Sequence, residues 1–124
     1  MDTKNNITPM DQEELDQAKA GAEKAENLFK LKFKKTFAYD GVDYDELEFD
    51  FDGLTGNDSL EVEKELARKG TQVAVPAFSG EYIIRIAARA CTSPIGSDAF
   101  LRMSLKDYNK VRAKVRNFLM ASEQ

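Results

Sequence analysis

A chain of 124 residues with 42% hydrophobic and 32% charged side chains holds enough apolar material for one core and one domain, and is too charged for a membrane protein. No apolar run reaches the roughly 18 residues of a membrane span, and the opening MDTKNNITPM lacks the basic flank and apolar block of a signal peptide. A soluble, intracellular protein is the expectation. Histidine is absent and Cys91 is the single cysteine, which excludes an intramolecular disulfide, Ser-His and Cys-His nucleophile pairs, and histidine bases or metal ligands.

The net charge of −4 is unevenly spread. Residues 1–69 carry 10 Lys/Arg against 18 Asp/Glu, and residues 70–124 carry 8 against 4, so the first part is at −8 and the second at +4. Such polarity orients a protein on a charged partner; solvated faces of differing sign give the same pattern.

Residues 1–27 are polar and alanine-rich. Thr8-Pro9-Met10-Asp11 has the chemistry of a helix start, and Leu15, Ala18, Ala22 and Leu28 trace a thin helical face interrupted by Gly21. A stripe this thin is marginal on its own. The expectation is a flexible or partly helical arm, a tail over Met1–Met10 and a frayed helix over Asp11–Asn27, followed by a single domain over 28–124.

Leu28 to Phe51 reads as two β-strands around Asp40-Gly41. The first alternates Phe29, Leu31 and Phe33, then Phe37 and Tyr39, with lysines between. The second carries Val42, Tyr44, Leu47, Phe49 and Phe51, with carboxylates between. Period-two alternation around Asp-Gly is a strong hairpin signal. The apolar set changes parity between Tyr44 and Leu47, so a two-residue turn leaves Phe33 opposite Glu48. One extra residue at Asp45-Glu46 restores the apolar face, which predicts a β-bulge there.

Asp52-Gly53 ends the second strand. Asp58-Ser59-Leu60-Glu61 resembles a capping box with Asp58 as N-cap, opening a helix to Lys69 with Leu60, Val62, Leu66 and Ala67 as buried positions and Gly70 at C′. Thr71–Phe78 reads as an extended connector touching a sheet edge, since Pro76 cannot donate to a ladder. Ser79 or Gly80 then starts the most apolar helix, Glu81 to Cys91. Ile83, Ile86, Ala87 and Ala90 lie on one side, Ile84, Ala88 and Cys91 beside them, and Arg85 and Arg89 on the polar edge. Thr92-Ser93-Pro94 stops it. Ser97 or Asp98 caps a short helix, Ala99–Met103. Ser104-Leu105-Lys106-Asp107 caps the last, Leu105 to Ser122, whose inner face is Tyr108, Val111, Val115, Phe118 and Leu119 and whose outer face is Lys106, Lys110, Arg112, Lys114 and Arg116. The fold class expected is α+β, a hairpin packed by three to four helices.

Three constellations carry possible chemistry. Glu48-Phe-Asp50-Phe-Asp52-Gly53 mimics the start of a calcium loop, but its twelfth position is Ser59, where a bidentate Glu is required, and no entering helix precedes it. The carboxylates then read as a solvated or partner-binding strand face. The basic last helix raises nucleic-acid binding, against which stand a pI near 4.9 and the lack of an aromatic residue among its exposed basic positions. Gly53 and Gly56 lack the Lys-Ser/Thr of a phosphate loop, and Ser79-Gly80 lacks the base and glycines of a nucleophile elbow. No catalytic residues, cofactor or metal ligands are assigned.

The order of signals resembles the tail assembly chaperones of tailed phages and prophages. The matching stretches are the hairpin Phe37-Ala-Tyr39-Asp-Gly41-Val42-Asp-Tyr44-Asp-Glu-Leu47, the segment Leu54-Thr55-Gly56-Asn57-Asp58 with its helix, Tyr82-Ile-Ile-Arg-Ile86-Ala87-Ala88-Arg-Ala90, Ala99-Phe100-Leu101, Asp107, and Phe118-Leu119. They span residues 29–120 in order, without one diagnostic motif. The resemblance implies a non-enzymatic, transient partner of the tape measure protein, and sometimes of the tail tube protein, that keeps long hydrophobic helices soluble in the host cytoplasm and is absent from the mature virion. It implies no catalytic residues. The candidate client surfaces on this chain are the Ala99–Met103 piece with Phe100 and Met103, which read equally as core residues, the basic side of the last helix with Lys110 and Lys114, and the N-terminal arm. The other readings are a structural tail or virion subunit and a small nucleic-acid-binding regulator.

Overall fold

The structure is a computed structural model that describes residues 28–121; the arm expected at residues 1–27 lies outside them. Two strands, β1 (Leu28–Tyr39) and β2 (Val42–Asp50), form an antiparallel hairpin. Four α-helices follow: α1 (Gly56–Arg68), α2 (Gly80–Ala90), α3 (Asp98–Arg102) and α4 (Leu105–Ala121). Single 3₁₀ turns occupy Phe51–Gly53 and Pro76–Phe78. The protein is α+β.

The hairpin tip behaves as its residues require. Asp40 and Gly41 both have positive φ, 50° and 79°, the condition of the tight turn that matches strand twist, and one that Asp and Gly tolerate best.

The irregularity lies elsewhere than expected. Tyr39↔Val42 and Phe37↔Tyr44 pair in one register, Lys32↔Glu46 to Leu28↔Asp50 in another, and the shift falls between Lys32 and Phe37. Four residues of β1, Phe33 to Thr36, therefore oppose Asp45 alone. The bulge sits on β1 and absorbs three residues, not one residue of β2 at Asp45-Glu46. The parity argument required only an odd offset, and both solutions supply one. The observed one pairs Leu31 with Leu47 and Phe29 with Phe49, keeps both Leu side chains buried, and leaves Lys34 and Lys35 in solvent.

One apolar cluster takes side chains from both strands and every helix. Phe49 is fully buried, with ring centroids of Phe29, Phe51 and Phe100 at 5.7, 6.3 and 6.0 Å. Helix α2 is the hub, touching α1, α4 and β2. Its end is sewn to the hairpin by the bridge Phe49↔Cys91 and by the Thr92 N–H, which donates to the Glu48 carbonyl at 2.9 Å. Cys91 is half-buried there, and burial pushes its thiol pKa up, as for a packed small hydrophobe.

Several local expectations are corrected. Helix α1 begins two residues before Asp58, with Thr55 as N-cap. Asp58 is the N3 residue, and its carboxylate accepts from the Thr55 N–H at 2.7 Å and from Arg89 Nε at 2.7 Å. Val62 and Leu66 are buried, but Leu60 is 49% exposed and Ala67 is exposed, because α1 meets the core along one narrow stripe. Gly70, at φ 77°, closes α1: its N–H bonds Ala67 O and the Thr71 N–H bonds Leu66 O, a Schellman motif. The connector turns at Pro76 and packs on α2 and α4 rather than along a sheet edge. Arg85, expected on the polar edge of α2, is buried, held by Glu65 and Glu81.

Candidate functional site

The β1 bulge makes one wall of a groove of about 360 Å³. Lys32, Phe33, Lys34, Lys35 and Phe37 supply that wall, and the hairpin side is pinned by Thr36 Oγ1 donating to Asp45 at 3.1 Å. The facing wall is the end of α3 and the first turns of α4, with Arg102, Met103, Lys106, Asp107 and Lys110. Ser104 caps α4, its Oγ accepting from the Asp107 N–H at 3.1 Å, so this wall is set by helix-start chemistry readable in the sequence.

The rim is cationic and the floor apolar. Six of the lining residues are Lys or Arg, and one, Asp107, is a carboxylate. Phe33 and Phe37 stack on one another with centroids 5.1 Å apart, and Met103 lies half-buried beside them. Among the described residues, none of the five groove lysines forms an ion pair with a carboxylate. Arg102 pairs loosely with Asp98 at 3.6 Å and stands 5.7 Å over the Tyr39 ring. Tyr39 itself anchors the hairpin tip to the α2–α3 connection. Its hydroxyl donates to Asp98 Oδ1 at 2.7 Å and accepts from the Gly96 N–H at 3.2 Å, and the bond to the Asp98 carboxylate raises its pKa above the usual phenol value. Chemically the groove offers lysines without a carboxylate partner among the described residues, around a surface on which apolar side chains can sit, a combination that suits an acidic, amphipathic segment.

The structure brings together two of the four expected surface residues. Met103 and Lys110 line the groove. Lys114 is engaged with the hairpin, its ammonium 5.6 Å over the Phe29 ring. Phe100 is a correction: it is 1% exposed and tilted against Phe49. Helix α3 directs Ala99 and Phe100 inward, and the outward apolar residue is its neighbour Leu101, at 67%. Sequence reasoning missed Lys32, Lys34 and Lys35 as site residues, because it placed the extra strand residue on β2. The available signal was the doubled lysine in Phe33-Lys-Lys-Thr-Phe37, which breaks strict alternation. The groove also puts two aromatic rings beside lysines of β1 and α4, an arrangement absent from the linear reading of α4 alone.

A larger hollow of about 700 Å³ lies between the end of α1 and the connector, but Glu63 is the one charged side chain lining it. It lacks the convergence of like charges seen at the bulge. Among the described residues, no three His, Cys, Asp or Glu side chains gather as a metal-binding group, and no helix is long and apolar enough to cross a membrane. No family model, curated protein or solved structure matches the chain.

Proposed function

We propose that this chain is a tail assembly chaperone of a tailed phage or prophage. It binds the tape measure protein, and tail tube subunits in some assemblies, during tail morphogenesis in the host cytoplasm, and leaves before the virion is complete. It acts by binding and carries out no catalysis. The order of motifs supports the family reading. The observation that carries the binding reading is the cation-rimmed groove that unites Met103 and Lys110 with the β1 bulge. A groove with an apolar floor and a charged rim suits one face of a helix, whose apolar anchors enter while its acidic flank meets the lysines. The exposed Leu101 and Leu105 on α3 and α4 add apolar contact area on the same two helices that form one wall.

The test is a pull-down of tape measure and tube proteins by the full chain, paired with mass spectrometry of mature particles. Binding to the tape measure protein together with absence from particles is expected. Binding to neither protein sinks the reading, and stoichiometric presence in particles assigns the chain to the tail structure instead.

A second reading draws on Phe33 and Phe37 lying among the groove lysines. Lysines interleaved with aromatics are also how single strands of nucleic acid are held. The two rings stack on each other, leaving less face for bases, and the whole chain is acidic. A mobility shift that falls steeply with salt supports this reading; no shift at low salt removes it.

A further inference from the structure

We propose that the groove is a two-sided clamp for an acidic helix, whose carboxylates lie on both flanks of an apolar stripe and not on one. The inference rests on the groove being a binding surface, as proposed above, and specifies the chemistry of what binds there. The six lining cations divide evenly between the walls: Lys32, Lys34 and Lys35 on the β1 bulge, and Arg102, Lys106 and Lys110 on α3 and α4. Among the described residues the five lysines have no carboxylate partner, and Arg102 has the loose contact with Asp98 at 3.6 Å. A helix with one acidic flank neutralises one row and leaves three cations facing its other side. A neutral second flank forfeits attraction there, and a basic one adds like-charge repulsion. A helix acidic on both sides matches both walls.

The geometry favours a helix as the occupant. The floor is built of side chains, the stacked Phe33 and Phe37 rings and the half-buried Met103, which rewards apolar anchors set on one face of the partner. On the facing wall Lys106 and Lys110 stand one helical turn apart, about 6 Å along α4 at 1.5 Å per residue. A helix lying alongside α4 presents carboxylates at i and i+4 with the same rise, so a Glu-x-x-x-Glu flank runs in step with that row. Asp107, the one lining carboxylate, is half-buried at the start of α4, where Ser104 caps its N–H. The lysines on either side of the groove are exposed and define the charge that a partner meets. A groove of about 360 Å³ lies at the small end of binding cavities. It seats few apolar side chains, so the flanking charges decide which helix is held.

The experiment is fluorescence anisotropy of the full chain with labelled synthetic peptides of about 18 residues, long enough to form a helix. They share one leucine stripe and differ in their flanks: Glu on both, Glu on one and Lys on the other, or Lys on both. At low salt the double-Glu peptide should bind the wild type about tenfold or more tightly than the mixed one, with no binding of the double-Lys peptide, and ~0.5 M salt should erase the difference. The bound double-Glu peptide should gain helical circular dichroism. Lys34→Glu/Lys35→Glu reverses one wall and Lys106→Glu/Lys110→Glu the other. All four lysines are exposed, and unchanged melting temperatures verify the fold. Each variant should prefer the mixed peptide over the double-Glu one, because a helix seated in either direction can offer its Lys flank to the reversed wall. Equal binding of double-Glu and mixed peptides by the wild type, an unchanged preference in either wall variant, or a bound peptide that stays extended overturns the proposal. A single-stranded oligonucleotide that binds more tightly than the double-Glu peptide also overturns it, and assigns the groove to nucleic acid. The pull-down is a separate matter: a tape measure protein bound by a chain without flank preference sinks this inference alone, and flank preference without tape measure binding sinks the chaperone reading alone.

Discussion

Arg85 offers the sharpest quantitative test of the fold. Its side chain is 7% exposed, yet its partners Glu65 and Glu81 are 43% and 52% exposed. Nε reaches Glu65 Oε2 at 2.6 Å, and NH1 reaches Glu81 Oε2 at 3.0 Å and the Glu81 carbonyl at 2.9 Å. The guanidinium has given up water, while the carboxylates have kept about half of theirs. Removing the carboxylates therefore strands a buried cation, whereas removing the cation frees two well-solvated anions. Each charge-assisted bond contributes about 1.5–3 kcal/mol when its loss leaves the buried partner unsatisfied, and the exposure of the glutamates puts these bonds at the lower end. Glu65→Ala/Glu81→Ala should cost about 3 kcal/mol, even though alanine is the better helix former. Arg85→Met fills similar space and leaves nothing buried and charged, so it should cost about 1 kcal/mol or less. Urea unfolding of both variants, with unchanged m-values, is the measurement. The melting temperatures should separate by roughly 8–16 °C for a domain of this size. An Arg85→Met variant less stable than the double glutamate variant refutes the reasoning, and shows that the ion pairs outweigh the desolvation of the arginine.

Four further outcomes are expected. Phe100→Ala should lose about 3–5 kcal/mol and Leu101→Ala less than about 0.5 kcal/mol, since the two neighbours are 1% and 67% exposed; thermal melts of the pair check which face of α3 is core. Gly70→Ala should cost about 1 kcal/mol through its positive φ alone, because an added Cβ there meets nothing within 4 Å, and a denaturant midpoint reads it. Asp58 has its pKa lowered below 3.8, first by the Thr55 N–H and then by Arg89. Its folded state binds a proton less readily than the unfolded one, so its contribution is present above pH 3.8 and lost as pH falls through the lower folded value; Asp58→Ala should flatten that part of the acid-stability profile. Tyr39 has the opposite sign. Its raised pKa gives a contribution present below the usual phenol value of 10.0 and lost as pH rises through the higher folded value, and ultraviolet titration of Asp98→Ala should show the phenol returning toward 10.0.

The elements themselves were legible because their signals are local. Asp40-Gly41 specifies a tight turn through backbone sterics, Ser79 and Ser104 announce helix starts through their hydroxyls, and Gly70 and the Thr92-Ser93-Pro94 run mark helix ends. The apolar faces of α2 and α4 followed from helical periodicity, and Val111, Val115, Ile83 and Ala87 are buried as that periodicity requires. The parity change along the hairpin was also legible, since side chains alternate with a period of two and an odd offset is unavoidable.

Tertiary structure decided which strand took that offset, because both choices restore the alternation and only packing against α2 and α4 separates them. The choice of β1 pairs Leu31 with Leu47 in the core and pushes Lys34 and Lys35 outward. That one decision creates the groove, since it brings lysines of the hairpin to the start of α4, some seventy residues away in the chain. The inward turn of Phe100 and the burial of Arg85 have the same origin. Each depends on a neighbour from another element, Phe49 on β2 for the ring and Glu65 on α1 for the guanidinium, and no periodicity within α3 or α2 encodes that neighbour. Local sterics and patterning set the elements of this protein; the contacts between elements set its surface.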